Sequence, residues 1–573
     1  MKNEEMSRER SFNFETDDEE NQADTMGNED YESDGSDMSS TRQSSGHGRS
    51  SYDCNTSWPQ SYKQSMDIFS SVTPPSLTIL AGSSLIRAGS SFWSSSSVHR
   101  RHPPLEINYP STEPLISTAS EKEQLTSPHP QTKQSFYDPH GIVLSQQCSY
   151  SQAVINGINV LCGVGVLSTP YAVKEGGWLG LLVLLSFALI SCYTGVLLKR
   201  CLESKPGLHT YPDIGQAAFG KVGRLGISII LYAELYACCV EYVILESDNL
   251  NSLFPNAHLN LAGYQLSSHQ LFAIITTLAV LPTVWLRDLS VLSYISAGGV
   301  IASLLVVICL IWVGVVDGVG FHHGGTSLNL SGLPVAIGLY GFCYSGHAVY
   351  PNIYSSMKNP SQFPAVLLTS SVACTILYAG VAIMGYMMFG ESINSQFTLN
   401  MPQQFFASKV GVWTTVVNPF TKYALTITPV ALSLEELLPA SHLKYHFFSI
   451  VIRTGLVLST LIVALAVPFF GFVMAFIGSV LTMLVALILP CACYLSILGS
   501  NVTLLQSAEF CSCFLPQRFI CMLVIVVGVV CACIGSYSAI GKISEEKEEI
   551  TKSHVHLILL EIMEDELSCV LLT

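Results

Sequence analysis

The sequence predicts an all-α polytopic membrane protein of about eleven spans, an inverted five-plus-five repeat with helices 1 and 6 broken and one helix added. Composition is the first support. Of 573 residues 49% are hydrophobic and only 12% charged, and the mean hydropathy is +0.43, whereas a soluble chain carries about a quarter charged residues. The second support is a pair of matching interruptions. Ile158 to Tyr171 reads INVLCGVGVLSTPY, with Gly163 and Gly165 in mid-segment and Pro170 five residues after the second glycine. Leu339 to Tyr354 reads LYGFCYSGHAVYPNIY, with Gly341 and Gly346 in mid-segment and Pro351 again five residues on. An unwound stretch frees N–H and C=O groups that lipid cannot satisfy, so it is tolerated where it lines a cavity for a solute. The third support is arithmetic: each broken helix opens a set of five spans, and an odd number makes the second set run through the membrane in the opposite sense.

Along the chain, residues 1–148 are rich in Ser, Thr, Asp and Glu, with Pro74, Pro75, Pro103 and Pro104 scattered among them. So little apolar surface cannot offset the entropy of ordering, and a disordered cytosolic tail is expected. This tail holds about two-thirds of the net charge of −15, so acidity is not a property of the membrane part. Within it, Ser76–Trp93 alternates small apolar residues with serine and is the expected docking segment. No basic stretch followed by an apolar one precedes the spans, so the first span is expected to target the chain to the membrane.

The membrane domain is expected over 149–541, with spans at 150–173 (broken), 178–198, 225–250, 269–286, 290–316, 333–355 (broken), 363–389, 410–434, 447–468, 470–498 and 517–541. Lys199, Arg200, Lys205, Lys221, Arg224, Arg287, Lys358, Lys444 and Arg518 then share one side, and only Lys174 and Lys409 face the other before the last span. That bias puts the N-terminus in the cytosol. Residues 542–573 form an acidic, amphipathic C-terminal tail. Most of the 18 cysteines lie in apolar runs and read as small packing residues. No metal-ligand spacing, nucleophile–base pair or phosphate loop is visible, so neither a metal site nor an enzyme is expected. The acidic chain offers no basic stripe for nucleic acid. Membrane lipid and tail-binding regulators are the expected macromolecular surroundings.

Helix ends at the breaks present dipoles to a solute. A carboxylate suits the N–H groups around Gly163–Val166, and an ammonium suits carbonyls freed around Gly341–Ser345; a zwitterion satisfies both. Ionisable groups inside spans are costly and default to function. Glu234 and Glu241 lie seven residues apart on one face of the third span, and Lys422 lies inside the eighth, where its ammonium is placed to pair with Glu241. His347, in the second interruption, titrates near neutral and reads either as a proton relay or as a polar cavity lining. Glu246 and Asp248 near a span end, and Arg453 near another, are expected to be hydrated interface residues.

Four stretches in order, Asn159–Tyr171 (NVLCGVGVLSTPY), Thr210–Gly220 (TYPDIGQAAFG), Tyr344–Lys358 (YSGHAVYPNIYSSMK) and Asn418–Pro429 (NPFTKYALTITP), resemble the amino acid/auxin permease superfamily. The likeness is strongest to the plant vacuolar amino-acid transporters akin to the yeast vacuolar neutral amino-acid transporter, and covers about residues 145–541. It implies a LeuT-like fold and proton-coupled exchange of neutral amino acids across the vacuolar membrane. The substrate site it implies is Gly163, Val164 and Gly165 with Tyr344, Ser345 and Gly346. Glu241, His347 and Lys422 are the proton-coupling candidates, and the cofactor is none beyond the proton gradient. Lys422 and Thr421 stand where sodium-coupled relatives hold their ion, which favours protons. Two other readings stay open: an amino-acid sensor signalling through the tail, and a plasma-membrane proton symporter of amino acids or auxin.

Overall fold

A computed structural model describes residues 58–63, 65–66, 148–261, 264–286, 298–321, 324–438, 445–499 and 508–571. Helices dominate, and one antiparallel hairpin, Leu259–Leu261 against Tyr264–Leu266, joins two of them. Among the described residues, seven helices are long and apolar enough to cross a membrane, or eight when the bent pair Tyr150–Leu161 and Val164–Gly176 counts as one span. The other three expected spans are helical but fall short of that test in different ways. The fifth is described from Gly299 to Val315, the sixth is divided into Leu333–Cys343 and Tyr350–Ser356, and the eighth, Phe406–Glu435, carries Lys422, Pro419 and Pro429 inside it. The protein is therefore an all-α polytopic membrane protein whose first and sixth spans are broken.

Local chemistry explains where these helices begin. Ser149 opens the first span with a capping box, its hydroxyl taking the N–H of Gln152 while the Gln152 side chain takes the N–H of Ser149. Thr210 with Asp213 and Ser267 with Gln270 do the same for the third and fourth helices. The third helix runs from Tyr211 to Leu253 but kinks at Phe219 and Gly220, where Gly220 has φ +67°. Only glycine adopts that conformation cheaply. The kink folds Tyr211–Phe219 back on the span proper, where Arg224 pairs with Asp213 at 2.6 Å.

Small residues let backbones touch where the sixth and tenth spans cross. A Cβ on Gly478 would lie 2.0 Å from Gly338 O, and one on Gly341 would lie 2.5 Å from the Met483 methyl. Gly341 thus sits inside the regular helix Leu333–Cys343 as a packing residue. The expectation that the second break starts at Gly341 is corrected: the irregular stretch lies between Cys343 and Tyr350. The tenth span is itself irregular, with Gly478–Ile488 wound as a π-helix between Phe470–Ile477 and Leu489–Gly499.

The two broken spans are joined by backbone hydrogen bonds at both ends. Before the first span, Cys148 N–H donates to the carbonyl of Ser356 (2.8 Å), the last residue of the sixth, and its own carbonyl accepts from Lys358 N–H (2.9 Å), just beyond it. At the opposite end, Trp178 and Leu179 N–H donate to Thr326 O (3.1 Å) and Ser327 O (3.0 Å), and Asn329 N–H donates to Gly176 O (3.3 Å). The start of each span pairs with the end of the other, so the two run antiparallel, as the odd span count requires. We call the end carrying Cys148 the tail side and the end carrying Gly176 the far side.

Two polar residues expected at the interface are buried instead. Arg453 is 5% exposed; its Nε lies 2.8 Å from Glu435 Oε1, which also accepts from Ser449 (2.7 Å), and its Nη1 donates to Val284 O (2.8 Å). A guanidinium this buried is tolerable because carboxylate and carbonyl satisfy it together. Glu246, at 2% exposed, is likewise inside the protein. Asp248 sits on the far side, 3.1 Å from His269 Nε2, and accepts from Gln396 (2.8 Å). The loop around Gln396 closes over this end: Ser168 donates to Ser395 O (2.6 Å) and Lys174 to Ile393 O (3.2 Å).

Within the expected 1–148 tail, the described residues 58–63, 65 and 66 pack against the tail side of the bundle, with Tyr62, Ser65 and Met66 buried. Ser76–Trp93 lies outside the described residues. At the other terminus Ala508–Leu571 is a single helix, so the C-terminal tail continues the eleventh span.

Candidate functional site

The first break begins where the helix ends at Leu161. Cys162 and Gly163 leave helical geometry, a 3-10 turn follows from Val164 to Ser168, and helix resumes at Thr169 with Pro170 in its first turn. Proline fits there because a first-turn residue needs no N–H partner. The bend across the break is 49°. Three carbonyls released by it find partners on other spans. Leu161 O accepts from the Tyr378 hydroxyl, Cys162 O accepts from Ser303 Oγ (3.2 Å), and Gly165 O faces Cys343 Sγ (3.7 Å).

The second break runs through Tyr344 to Val349, and its side chains reach three different spans. Tyr344 OH bonds Thr375 Oγ1 (2.7 Å) on the seventh, Ser345 Oγ donates to Glu234 Oε1 on the third, and His347 Nε2 lies 2.9 Å from Thr194 Oγ1 on the second. Glu234 also accepts from Thr482 (3.3 Å) in the π-helical turn of the tenth span. Gly346 is needed for space, since a Cβ there would lie 2.8 Å from the Tyr350 ring. His347 is fully buried, its ring 4.8 Å from that of Tyr350.

The breaks touch each other. A Cβ on Gly165 would stand 3.2 Å from Cys343 Sγ and 3.5 Å from Cys343 Cα. Tyr378 spans the seam: its hydroxyl reaches Leu161 O and also Cys343 O (3.2 Å). One hydroxyl proton serves one carbonyl at a time, so Tyr378 divides between Cys343 O and Leu161 O, the latter also accepting from Gly163 N–H (2.7 Å). The first break thus meets the second at Gly165 and Cys343, the residue before Tyr344, and Tyr378 bridges Leu161 and Cys343 across that seam.

The proton-coupling candidates separate. His347 is in the seam. Lys422 is not: its ammonium borders Gly299 and the Asn418 side chain, beside the first break. The pairing of Lys422 with Glu241 is corrected, for among the described residues no acid lies within ion-pair distance of Lys422 and both Glu241 oxygens are buried without a hydrogen-bond partner. Glu234, noted in the sequence only as a neighbour of Glu241 on its helix face, is the carboxylate that meets the break.

A small cavity of about 20 Å³ lies between the first break (Gly163, Val164, Val166, Leu167), the fifth span (Ser303, Val306) and the eighth (Thr415, Asn418, Pro419). It has room for a water or two and none for a larger solute, so loading this seam requires the surrounding helices to part. Ser303, Thr415 and Asn418 give it a polar wall; Asn418 opens the fourth of the family-like stretches, whereas Ser303 and Thr415 carried no motif in the sequence. Thr375, Tyr378, Thr194 and Thr482 were missed for the same reason, single hydroxyls in otherwise apolar helices.

Comparison with known proteins identifies relatives of the chain. The family described as transmembrane amino acid transporter protein matches residues 146–540. Amino acid transporters AVT1C and AVT1B of Arabidopsis thaliana are each 59% identical to this chain, covering 86% of it and 90% and 89% of their own lengths. The vesicular GABA transporter of Caenorhabditis elegans is 28% identical over 69% of this chain and 81% of its own. Among solved structures, MhsT in complex with L-phenylalanine aligns with a TM-score of 0.42 at 14% identity, over 66% of this chain and 98% of that one.

Proposed function

Since this chain belongs to the transmembrane amino acid transporter protein family and is a multi-pass transporter of amino acids, we propose that it exchanges neutral amino acids for protons across the vacuolar membrane, with its tail side in the cytosol. The observation that carries this reading is the hydrogen bond from Ser345 of the second break to the buried carboxylate of Glu234. A carboxylate only accepts hydrogen bonds, whereas the protonated acid also donates. The bond from Ser345 is charge-assisted in one state and ordinary in the other. Protonation at Glu234 therefore changes how firmly the second break is held, and a proton gradient biases the opening of the seam.

The substrate fits the same seam. The N–H groups that open the 3-10 turn at Val164 face the side of an amino acid's carboxylate, since the first residues of any helical turn have no partner within it. The carbonyls that Tyr378 now occupies, Leu161 O and Cys343 O, are acceptors for the ammonium once the hydroxyl swings aside. No net charge is left over for a neutral side chain, which is the support for neutral selectivity. Alternating access follows from rocking the broken spans against the rest of the bundle. Lys422 places its amine beside the first break, in the stretch where sodium-coupled relatives hold their ion, and supports coupling to protons rather than to a metal cation. Glu241 and His347 remain proton-coupling residues in this proposal, Glu241 as a buried acid on the same helix face as Glu234 and His347 as the imidazole of the second break.

The test is uptake of radiolabelled neutral, acidic, basic and auxin-like solutes into vesicles with an acidic interior. Uptake of neutral amino acids that stops when the pH gradient is collapsed is expected. Uptake that continues at the same rate sinks the coupling. Glu234→Gln keeps an acceptor for Ser345 but binds no proton, so it is expected to retain equal-pH counterflow and to lose the response to the gradient.

A further inference from the structure

We propose that the tail-side mouth of the bundle, between the third, sixth and eighth spans, is a peptide-binding site, and that the chain's own Trp58–Met66 is its ligand, seated as a lock on the second break. The segment reads Trp58-Pro-Gln-Ser-Tyr-Lys-Gln-Ser-Met66. It is held by groups from all three spans and not by its own composition.

Trp58 Nε1–H donates to Ser433 O (2.8 Å) near the end of the eighth span, and the Trp58 ring meets Tyr232 of the third edge-on at 5.7 Å. Gln60 N–H donates to Glu436 Oε2 (2.9 Å) and Ser61 N–H donates to Glu436 Oε1, so one carboxylate takes two successive backbone donors. Arg224 donates to Trp58 O from Nε (3.2 Å) and to Pro59 O from Nη2 (3.0 Å), while its other nitrogen holds Asp213. The chain then makes a helical turn, closed by Ser65 N–H on Ser61 O (2.9 Å), which drives Tyr62 inward. Tyr62 is 1% exposed, packs on Tyr232 at 6.0 Å between ring centres, and donates its hydroxyl to Ala348 O (3.2 Å). Asn352 donates to Lys63 O (3.4 Å).

Two features make this a built site. Its anchors are a buried tyrosine and a half-buried tryptophan, the residue types that carry peptide interfaces. Its polar contacts go to backbone groups on both sides of the peptide, a carboxylate for two N–H groups and a guanidinium fork for two C=O groups. The ligand it fits is an aromatic-Pro-x-x-aromatic segment that passes from extended chain into a helical turn. Position gives it a consequence. Ala348 belongs to the second break and Asn352 to the half-helix after it, whereas Tyr232, Arg224, Ser433 and Glu436 belong to the third and eighth spans. Opening the mouth toward the tail side must separate these two groups, and the bound segment joins them. Its release is therefore required before substrate passes on that side.

The consequence for transport rests on the function proposed above, but the binding does not, and the experiment reads them separately. Hydrogen exchange is followed by mass spectrometry on the full chain and on the Trp58→Ala/Tyr62→Ala variant, alongside uptake in vesicles that expose the tail side. In the variant, amides of 58–66 and 350–356 are expected to exchange faster and uptake to rise at least about tenfold, the factor that the loss of either interface anchor would give alone. A synthetic peptide spanning 56–68, added on the tail side, is expected to reverse both. Ser61→Asp, which sets a second carboxylate against Glu436 without touching either aromatic anchor, is expected to give the same changes more weakly. Unchanged exchange over 350–356, or uptake that stays level or falls in both variants, overturns the lock. If exchange changes as expected while neither full chain nor variant transports any amino acid, the binding site stands and the transport reading fails.

Discussion

The first and second breaks interrupt equivalent spans, yet they are held in opposite ways. Around the first, backbone carbonyls of Leu161, Cys162 and Gly165 meet other spans, and the side chains that join them are the small Cys162 thiol, 3.3 Å from Cys374 Sγ, and the Ser168 hydroxyl on Ser395 O. Around the second they are side chains, Tyr344, Ser345 and His347, each tied to a different span, with the Ala348 carbonyl taken by Tyr62. Peptide groups do not titrate and are blind to side-chain substitution at their own position. A break held by them is a constant surface for the invariant part of an amino acid. A break held by a carboxylate's partner, an imidazole and an aromatic hydroxyl answers to protonation and to regulation. Under the function proposed above, the repeat divides labour: one half recognises and the other decides when to move.

That division can be broken at its seam. Gly165→Val pushes branched carbons into Cys343, where a Cβ alone already stands at 3.2 Å. A cost of about 1–3 kcal/mol is expected from overpacking, with uptake lost and a lower melting temperature for a chain that still inserts. Tyr378→Phe strips the shared donor from both breaks and is expected to cut uptake roughly tenfold, from about 1–3 kcal/mol for acceptors left dry. Radiolabel uptake at saturating and limiting substrate separates that loss into binding and turnover.

Two smaller substitutions sharpen the contrast. Ser345→Ala removes the bond to Glu234, about 1.5 kcal/mol for a hydrogen bond to a charged group, and is expected to alter the response of uptake to the pH gradient while leaving substrate affinity within about twofold. Ser303→Ala removes a bond to Cys162 O on the first break, and about 0.5–1 kcal/mol is expected. Its effect belongs on substrate affinity, with the response to the gradient unchanged. Measured pH profiles of uptake check both, and the reverse pattern would dissolve the division of labour.

The span order, the two breaks and their opposite sense were legible because each rests on a local signal: apolar length, glycine and proline spacing, and an odd count. Gly341 was misread because a glycine that admits a neighbouring helix and one that ends a helix look alike in one dimension; only the contact with Met483 tells them apart. Arg453 and Glu246 were misplaced because a charge near a span end says nothing of the partner that waits for it, here Glu435 for Arg453. Glu234 was visible as an intramembrane acid, but its link to Ser345 joins positions more than a hundred residues apart. Tyr62 was hidden more deeply, in a tail whose average composition argues against order. Averages conceal a nine-residue segment whose binding energy is supplied by the surface it meets.

The backbone bonds at both ends of the broken spans impose a mechanical condition. With Cys148 fastened to Ser356 and Lys358 at one end, and Gly176, Trp178 and Leu179 fastened to the strand around Thr326–Asn329 at the other, neither span slides along the other without tearing main-chain hydrogen bonds. The pair behaves as a closed frame. Such a frame tilts far more easily than it shears, so a contact made near one end is felt at the other with its sign reversed. Tyr62, tied to the second break through Ala348 O, is thereby placed to act through this frame on the far-side loop that carries Ser395.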